Sequence, residues 1–363
     1  MRRDWTRIET GCTRRAFLRA ACSGLALAAA GPIVSNAAAA DIGQARFATR
    51  GVVLVPEDLS LADWPEHAAR AGLTTIGLHH PTSPRAAAAF IRSEPGQMFL
   101  DKCRSLGLHV EYELHAMREL LPRELHAANP EVFRMNDRGE RVPDANCCVS
   151  SPGALEIITG NALRLAEILQ PTTGRYFYWG DDGAPWCRCP KCGGYSDSEQ
   201  AVLLENAVLK ALRGRDSKAQ LAHLAYHNTL PPPKQVKPDP GVFLEFAPIN
   251  RRYDIPFAQQ RGADTDFGLE SLDANLELFP ADTAQVLEYW LDVSRFSGWK
   301  RGSLTKIPWD DNVLRADLAD YARRGIRHIT TFAAWIDAEY VRRFGEPPLA
   351  GYGAGLMQGT AQP

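Results

Sequence analysis

The sequence predicts a single-domain (β/α)8 TIM barrel, and three observations carry that expectation. Eight short runs rich in apolar, β-branched and aromatic residues recur at 51–56, 74–80, 109–115, 175–182, 220–226, 242–249, 302–309 and 328–335. Between most of them lie segments with apolar residues at three- and four-residue spacing, the pattern of parallel strands joined by crossover helices. Finally, 363 residues with 45% hydrophobic content can bury one large core, and eight strands is the number that closes such a barrel.

Taken in order, the chain opens on a targeting signal. Thr13, Arg14, Arg15, Ala16, Phe17 and Leu18 form a twin-arginine pattern, followed by an Ala-rich apolar stretch at 20–34 and small residues from Ala37 to Ala40. That stretch is shorter than the roughly 20 residues that cross a bilayer, and glycine and proline interrupt it. Residues 1–40 are therefore expected to be a Tat signal peptide. The Tat export machinery would deliver a periplasmic or secreted protein that has no membrane contact once the signal is cleaved.

The barrel is expected to occupy 41–345, with helices at 61–71, 95–106, 152–169, 198–213, 281–296 and 312–324. None is expected between the fifth and sixth strands, where Pro231, Pro232 and Pro233 would break it. Beyond Phe344 the chain turns rich in glycine and proline, and 346–363 reads as a C-terminal surface tail. A net charge of -2 and a pI near 6.5, with no Lys/Arg run outside the N-terminus, argue against nucleic acid as a partner.

Chemistry in this fold gathers at the C-terminal ends of the strands. The second strand ends in His79 and His80, and the third carries Glu111, Glu113 and His115 at period two. Trp179, Asp181 and Asp182 close the fourth, Tyr226 and His227 the fifth. The sixth runs from Glu245 to Asn250 and Arg251, the seventh ends in Trp309 and Asp310, and the eighth in Trp335. Carboxylates, histidines and tryptophans on one rim suit a carbohydrate substrate, because sugar rings offer apolar faces for stacking and hydroxyl edges for hydrogen bonds. Other readings stand beside this one. Glu111 is expected in an interior salt bridge, His79 and His80 divide between binding and packing, the tryptophans would also serve to plug the rim, and Asp181 and Asp182 would also suit an Asx-type turn.

Five cysteines remain after Cys12 and Cys22 leave with the signal and Cys103 is set aside in a helical pattern: Cys147, Cys148, Cys187, Cys189 and Cys192. The run C-P-K-C-G at 189–193 looks like a zinc knuckle, with Cys187 as a third ligand and Cys147 or Cys148 as the fourth. A four-cysteine site is closed, so the metal expected there is structural zinc. Disulfides are the competing reading, and five cysteines would leave one free. No organic cofactor is expected.

The segments WGDDGAPWCRCPKC, SDSEQAVLLENAVLKALR and LAYHNTLPPPKQVKP resemble domain-of-unknown-function family 4838, bacterial barrels similar to glycoside hydrolases. NPEVFRMNDRGERV, Cys148 and SSPGALE resemble the loop these proteins place after the third strand. The resemblance runs from about Glu113 to the end of the eighth strand and implies an exported glycoside hydrolase. The adjacent aspartates also resemble those of hexosaminidases of the O-GlcNAcase and chitobiase type, which implies Asp182 as general acid and Asp181 as polariser. An alternative pairs Asp182 with Glu113 or Glu245 across the mouth, as in a uronide-type glycosidase. Two further alternatives are a non-catalytic carbohydrate-binding barrel and a metal-dependent hydrolase using His79, His80 and Asp310.

Overall fold

The computed structural model describes residues 46–80, 83–261 and 267–358. The signal expected at 1–40 lies outside the described residues, among which no helix is long and apolar enough to cross a membrane. Eight parallel strands close a barrel in sequence order: β1 (Thr49–Leu54), β2 (Thr75–Leu78), β3 (His109–His115), β4 (Arg175–Trp179), β5 (Gln220–Ala225), β6 (Val242–Phe246), β7 (Gln285–Glu288) and β8 (His328–Phe332), with β8 returning to pair with β1. Around them lie α1 (Trp64–Arg70), α2 (Pro84–Arg92), α3 (Glu94–Ser105), α4 (Met117–Leu120), α5 (Pro152–Ile168), α6 (Asp197–Arg213), α7 (Leu269–Leu276), α8 (Val293–Phe296), α9 (Asp311–Arg323), α10 (Ala338–Phe344) and α11 (Leu349–Met357). Helix starts are set locally. The side chains of Ser83, Ser93, Ser151, Ser196 and Asp310 each accept a first-turn N–H, and Glu199 returns the bond to Ser196 in a capping box.

Alternate residues of the strands fill the barrel, and its lower layers are unusually polar. Arg175 lies over the Phe243 ring at 3.8 Å and donates to the Thr283 carbonyl and to Gln285 Oε1. Glu111, Glu113 and Glu245 are fully buried beside it. The lack of a side chain at Gly77 makes room for Glu113: a Cβ there would sit 2.9 Å from its Oε1.

Two expectations are corrected. The seventh strand is Gln285–Glu288, inside the segment read as a helix, whereas 302–309 is an unpaired extended loop entered by a short 3-10 turn. β7 is buried at every position, polar Gln285 and Glu288 included, so it shows no apolar–polar alternation; with Ala284, Leu287 and Leu291 at helical spacing, the segment mimics a helix. The segment read as a surface tail contains α11, whose Leu349, Tyr352, Gly353 and Leu356 are buried at i, i+3, i+4 and i+7. Between β5 and β6 no helix longer than a single 3-10 turn occurs among the described residues, as the three prolines require.

Candidate active site

A cavity of about 290 Å³ opens at the C-terminal ends of the strands. Its wall takes His79 from β2, His115 from β3, Trp179 and Asp182 from β4 and its following loop, Tyr226 after β5, and Phe332 and Trp335 from β8. The sequence reading missed what β7 contributes: Tyr289, Asp292, Ser294 and Trp299. With the strand placed at 285–288, the signal is plain, since Asp292 follows it by four residues.

The two histidines have fixed tautomers. His79 Nδ1 lies 2.8 Å from the Glu113 carbonyl and His115 Nδ1 lies 2.6 Å from the Gly180 carbonyl. A carbonyl only accepts, so both Nδ1 atoms carry the proton and both Nε2 atoms are acceptors. Burial, with help from His115, depresses the His79 pKa to about 3. Burial lowers that of His115 as well, against the pull of Asp182. Both rings are therefore neutral at pH 7.

The cavity's two carboxylates differ in environment. The Asp182 side chain is 65% exposed and its Oδ1 lies 3.9 Å from His115 Nε2, beyond hydrogen-bond range. Tyr226 is its neighbour, and burial together with the Asp182 charge raises the phenol's pKa. Asp292 is 4% exposed, and its Oδ1 accepts from Ser294 Oγ at 2.5 Å and from the Arg295 N–H at 3.2 Å. Burial raises its pKa, which those hydrogen bonds only partly offset.

Backbone strain is concentrated around this mouth. Among the described residues, the non-glycine positions in the left-handed region are Asn146 (φ 37°), His227 (47°), Trp299 (55°) and Trp335 (70°), on the loops after β3, β5, β7 and β8. Trp335 is held by buried Asp58, which accepts from its N–H at 2.9 Å and from Val55 N–H at 3.0 Å. Arg301 lies 5.2 Å from the Trp335 ring.

Other candidates from the sequence lie elsewhere. Asp181 pairs with Arg123 at 2.5 Å, accepts from the Asn146 N–H at 2.7 Å and faces a separate crevice of about 20 Å³. Glu113 and Glu245 lie inside the barrel; Trp179, part of the cavity wall, donates to Glu245 Oε2 at 2.7 Å. His80 accepts from the Ser83 N–H and lies 3.8 Å from Glu57. His227 and Asn250 share a neighbouring groove with Phe267. Arg251 is buried on the outer side of β7, paired with Glu288 and Asp317 and packed on Tyr253 and Phe257, so it has no access to a substrate. Trp309 follows from the misplaced seventh strand: its Nε1 donates to Asp311 and its ring packs at Gly351 of α11. Asp310 caps α9.

The cysteines converge. Cys148, Cys187, Cys189 and Cys192 are buried with their Sγ atoms within 4.8 Å of one another, the one group of three or more potential metal ligands among the described residues. Cys147 is buried outside this group, because its neighbour in the chain takes the position facing the other three.

The family described as Domain of unknown function (DUF4838) matches residues 53–275, well over half of the chain. The chain belongs to this family. Among solved structures it is similar to a β-N-acetylhexosaminidase from Bacteroides fragilis NCTC 9343, at 11% identity and a TM-score of 0.52, over 88% of this chain and 67% of that one. It is also similar to a cold-adapted β-galactosidase from Rahnella sp. R3, at 14% identity and a TM-score of 0.53, over 86% of this chain and 57% of that one. At such identities the likeness is one of fold alone, a closed eight-stranded parallel barrel. No curated protein sequence matches the chain. The DUF4838 match takes in Asp182 and the four clustered cysteines; Asp292, Trp299 and Trp335 lie beyond it.

Proposed function

We propose that this DUF4838 protein hydrolyses glycosidic bonds of small carbohydrates, with Asp292 as general acid and Asp182 as the carboxylate that meets the charge developing at the anomeric carbon. The observation that carries the reading is the contrast between these two groups on one aromatic cavity: a buried carboxyl with a raised pKa after β7, and an exposed one after β4. Asp292 gives its proton to the glycosidic oxygen as the C–O bond breaks; water supplies the hydroxyl that ends on the anomeric carbon, and its other proton passes to the cavity's carboxylates, replacing the one Asp292 gave up. The separation of the carboxylates around the bound sugar sets the stereochemical outcome.

The neutral Nε2 atoms of His79 and His115 accept from sugar hydroxyls, the Tyr226 hydroxyl hydrogen-bonds another, and Trp179, Trp299 and Trp335 offer faces for the ring. A volume of about 290 Å³ lies at the low end of the ~300–1,000 Å³ typical of small-molecule sites, which favours a terminal sugar over the interior of a long polymer. Asp181 is given no chemical role, since Arg123 and Asn146 already occupy it. Export through the Tat route, read from residues 1–40, is part of the same proposal and sets the hydrolase outside the cytoplasm.

A panel of chromogenic N-acetylhexosaminides, galactosides and glucuronides tests this with purified protein. Asp182→Asn and Asp292→Asn should each lower turnover about 10²- to 10⁴-fold on the best substrate. Asp181→Asn should lower the melting temperature while keeping most of the turnover per folded molecule. Sugar binding without turnover by the unmodified protein, or full rates in both the Asp182 and Asp292 variants, would overturn the assignment.

A further inference from the structure

We propose that Cys148, Cys187, Cys189 and Cys192 hold one structural zinc ion that ties the loop after β4 to the loop before α5. Cys148 Sγ lies 3.7 Å from Cys189 Sγ and 3.8 Å from Cys192 Sγ. Thiolates bound tetrahedrally at a Zn–S distance of ~2.3 Å stand about 3.8 Å apart, so these two spacings match a metal's coordination shell, and all four Sγ atoms lie within 4.8 Å of one another. All four side chains are at most 3% exposed.

The surroundings suit thiolates. The Met135 N–H donates to Cys187 Sγ at 3.3 Å, the Arg141 guanidinium approaches the same sulfur at 3.7 Å, and Ser150 Oγ lies 3.1 Å from Cys192 Sγ. Four thiolates around a divalent ion carry a net charge of -2, which Arg141 and the N–H dipole offset. The N–H groups of Cys192 and Gly193 both donate to the Cys189 carbonyl, closing the tight turn that aims Cys189 and Cys192 at one point. On binding, each thiol releases its proton to solvent as its sulfur takes up the ion.

Four cysteines leave no open coordination position, so the metal serves position rather than reaction. Cys187 begins where the turn carrying Asp182 ends, and is fixed to α6 by reciprocal hydrogen bonds with Gln200. Cys148 lies two residues after Asn146, whose side chain accepts from the Asp181 N–H and donates to the Ala184 and Pro185 carbonyls. The ion therefore clamps both sides of the turn that presents Asp182 to the cavity.

Elemental analysis and a thiol count on the purified full chain test the proposal. The expected result is one zinc per chain, no disulfide, and a lower melting temperature after chelation that recovers when Zn²⁺ alone is restored. Cys147→Ser should retain the full zinc content, whereas Cys148→Ser and Cys189→Ser should lose it. Metal-free protein with these cysteines in disulfides, or zinc lost from Cys147→Ser but kept by Cys148→Ser, would overturn the proposal. If the two ligand variants fail to fold, the metal content of the unmodified chain and of Cys147→Ser still separates zinc from disulfides.

Discussion

Ser294 sets how readily Asp292 gives up its proton. Its hydroxyl donates to Oδ1 at 2.5 Å and stabilises the charged carboxylate against the burial that raises the pKa. Ser294→Ala removes that bond, so the Asp292 pKa should rise further and the alkaline limb of the kcat/KM profile should move to higher pH, while Ser294→Thr holds it in place. A limb that stays put in Ser294→Ala would strip Asp292 of the acid's role. At this scale the sequence reading reached about half of the site. Asp182, His79, His115, Trp179, Tyr226 and Trp335 all end on the cavity wall because each lies at or just beyond the C-terminal end of a correctly placed strand. Asp181 and Arg251 did not, because position at a strand end says nothing about which face a partner has claimed; Arg123 holds the one, Glu288 and Asp317 the other.

Among the elements, α11 shows how close packing replaces an ordinary amphipathic signal. Gly353 presses against the end of α1 so tightly that a Cβ would sit 1.7 Å from the Ala71 carbonyl oxygen, and Tyr352 donates to the Gly51 carbonyl at 2.8 Å. Gly353→Ala should therefore destabilise the protein by about 1–3 kcal/mol, as overpacking does, despite alanine's better helix propensity. Thermal melts check this: a neutral or stabilising substitution would mean that α11 does not dock against α1 as described. The same glycines explain why the helix looked like a tail, since Gly351, Gly353 and Gly355 dilute the apolar periodicity that marks α5 and α6. β7 failed for the opposite reason. At four residues and with both faces buried, it lacks the alternation that identifies a half-exposed strand, and a neighbouring run with better alternation took its place.

For the whole molecule, the polar filling of the barrel ties stability to pH. Glu111, Glu113 and Glu245 share the interior with a single guanidinium, Arg175, which can balance only one negative charge. Burial raises the pKa of all three, that of Glu245 to about 8, and it raises that of Asp58 beside the cavity to about 8 as well. In the unfolded chain these groups ionise near pH 4. A folded state that keeps protons the unfolded chain has lost becomes less stable as pH rises through the interval, by up to ~1.4 kcal/mol per pH unit for each group. Buried His79 and half-buried His328 act the other way at lower pH: depressed to about 3, they stay neutral in the folded state while the unfolded chain binds protons below about pH 6.5. Above about pH 6.5 the histidines no longer oppose the carboxyls, so the urea midpoint of the chelated, reduced protein should fall between about pH 6.5 and 8. Glu113→Gln keeps the shape that fits against Gly77 while removing one titration, so it should flatten the slope. An equally steep fall in that variant would mean that Glu113 is ionised inside the folded barrel, with Arg175 as its counter-charge.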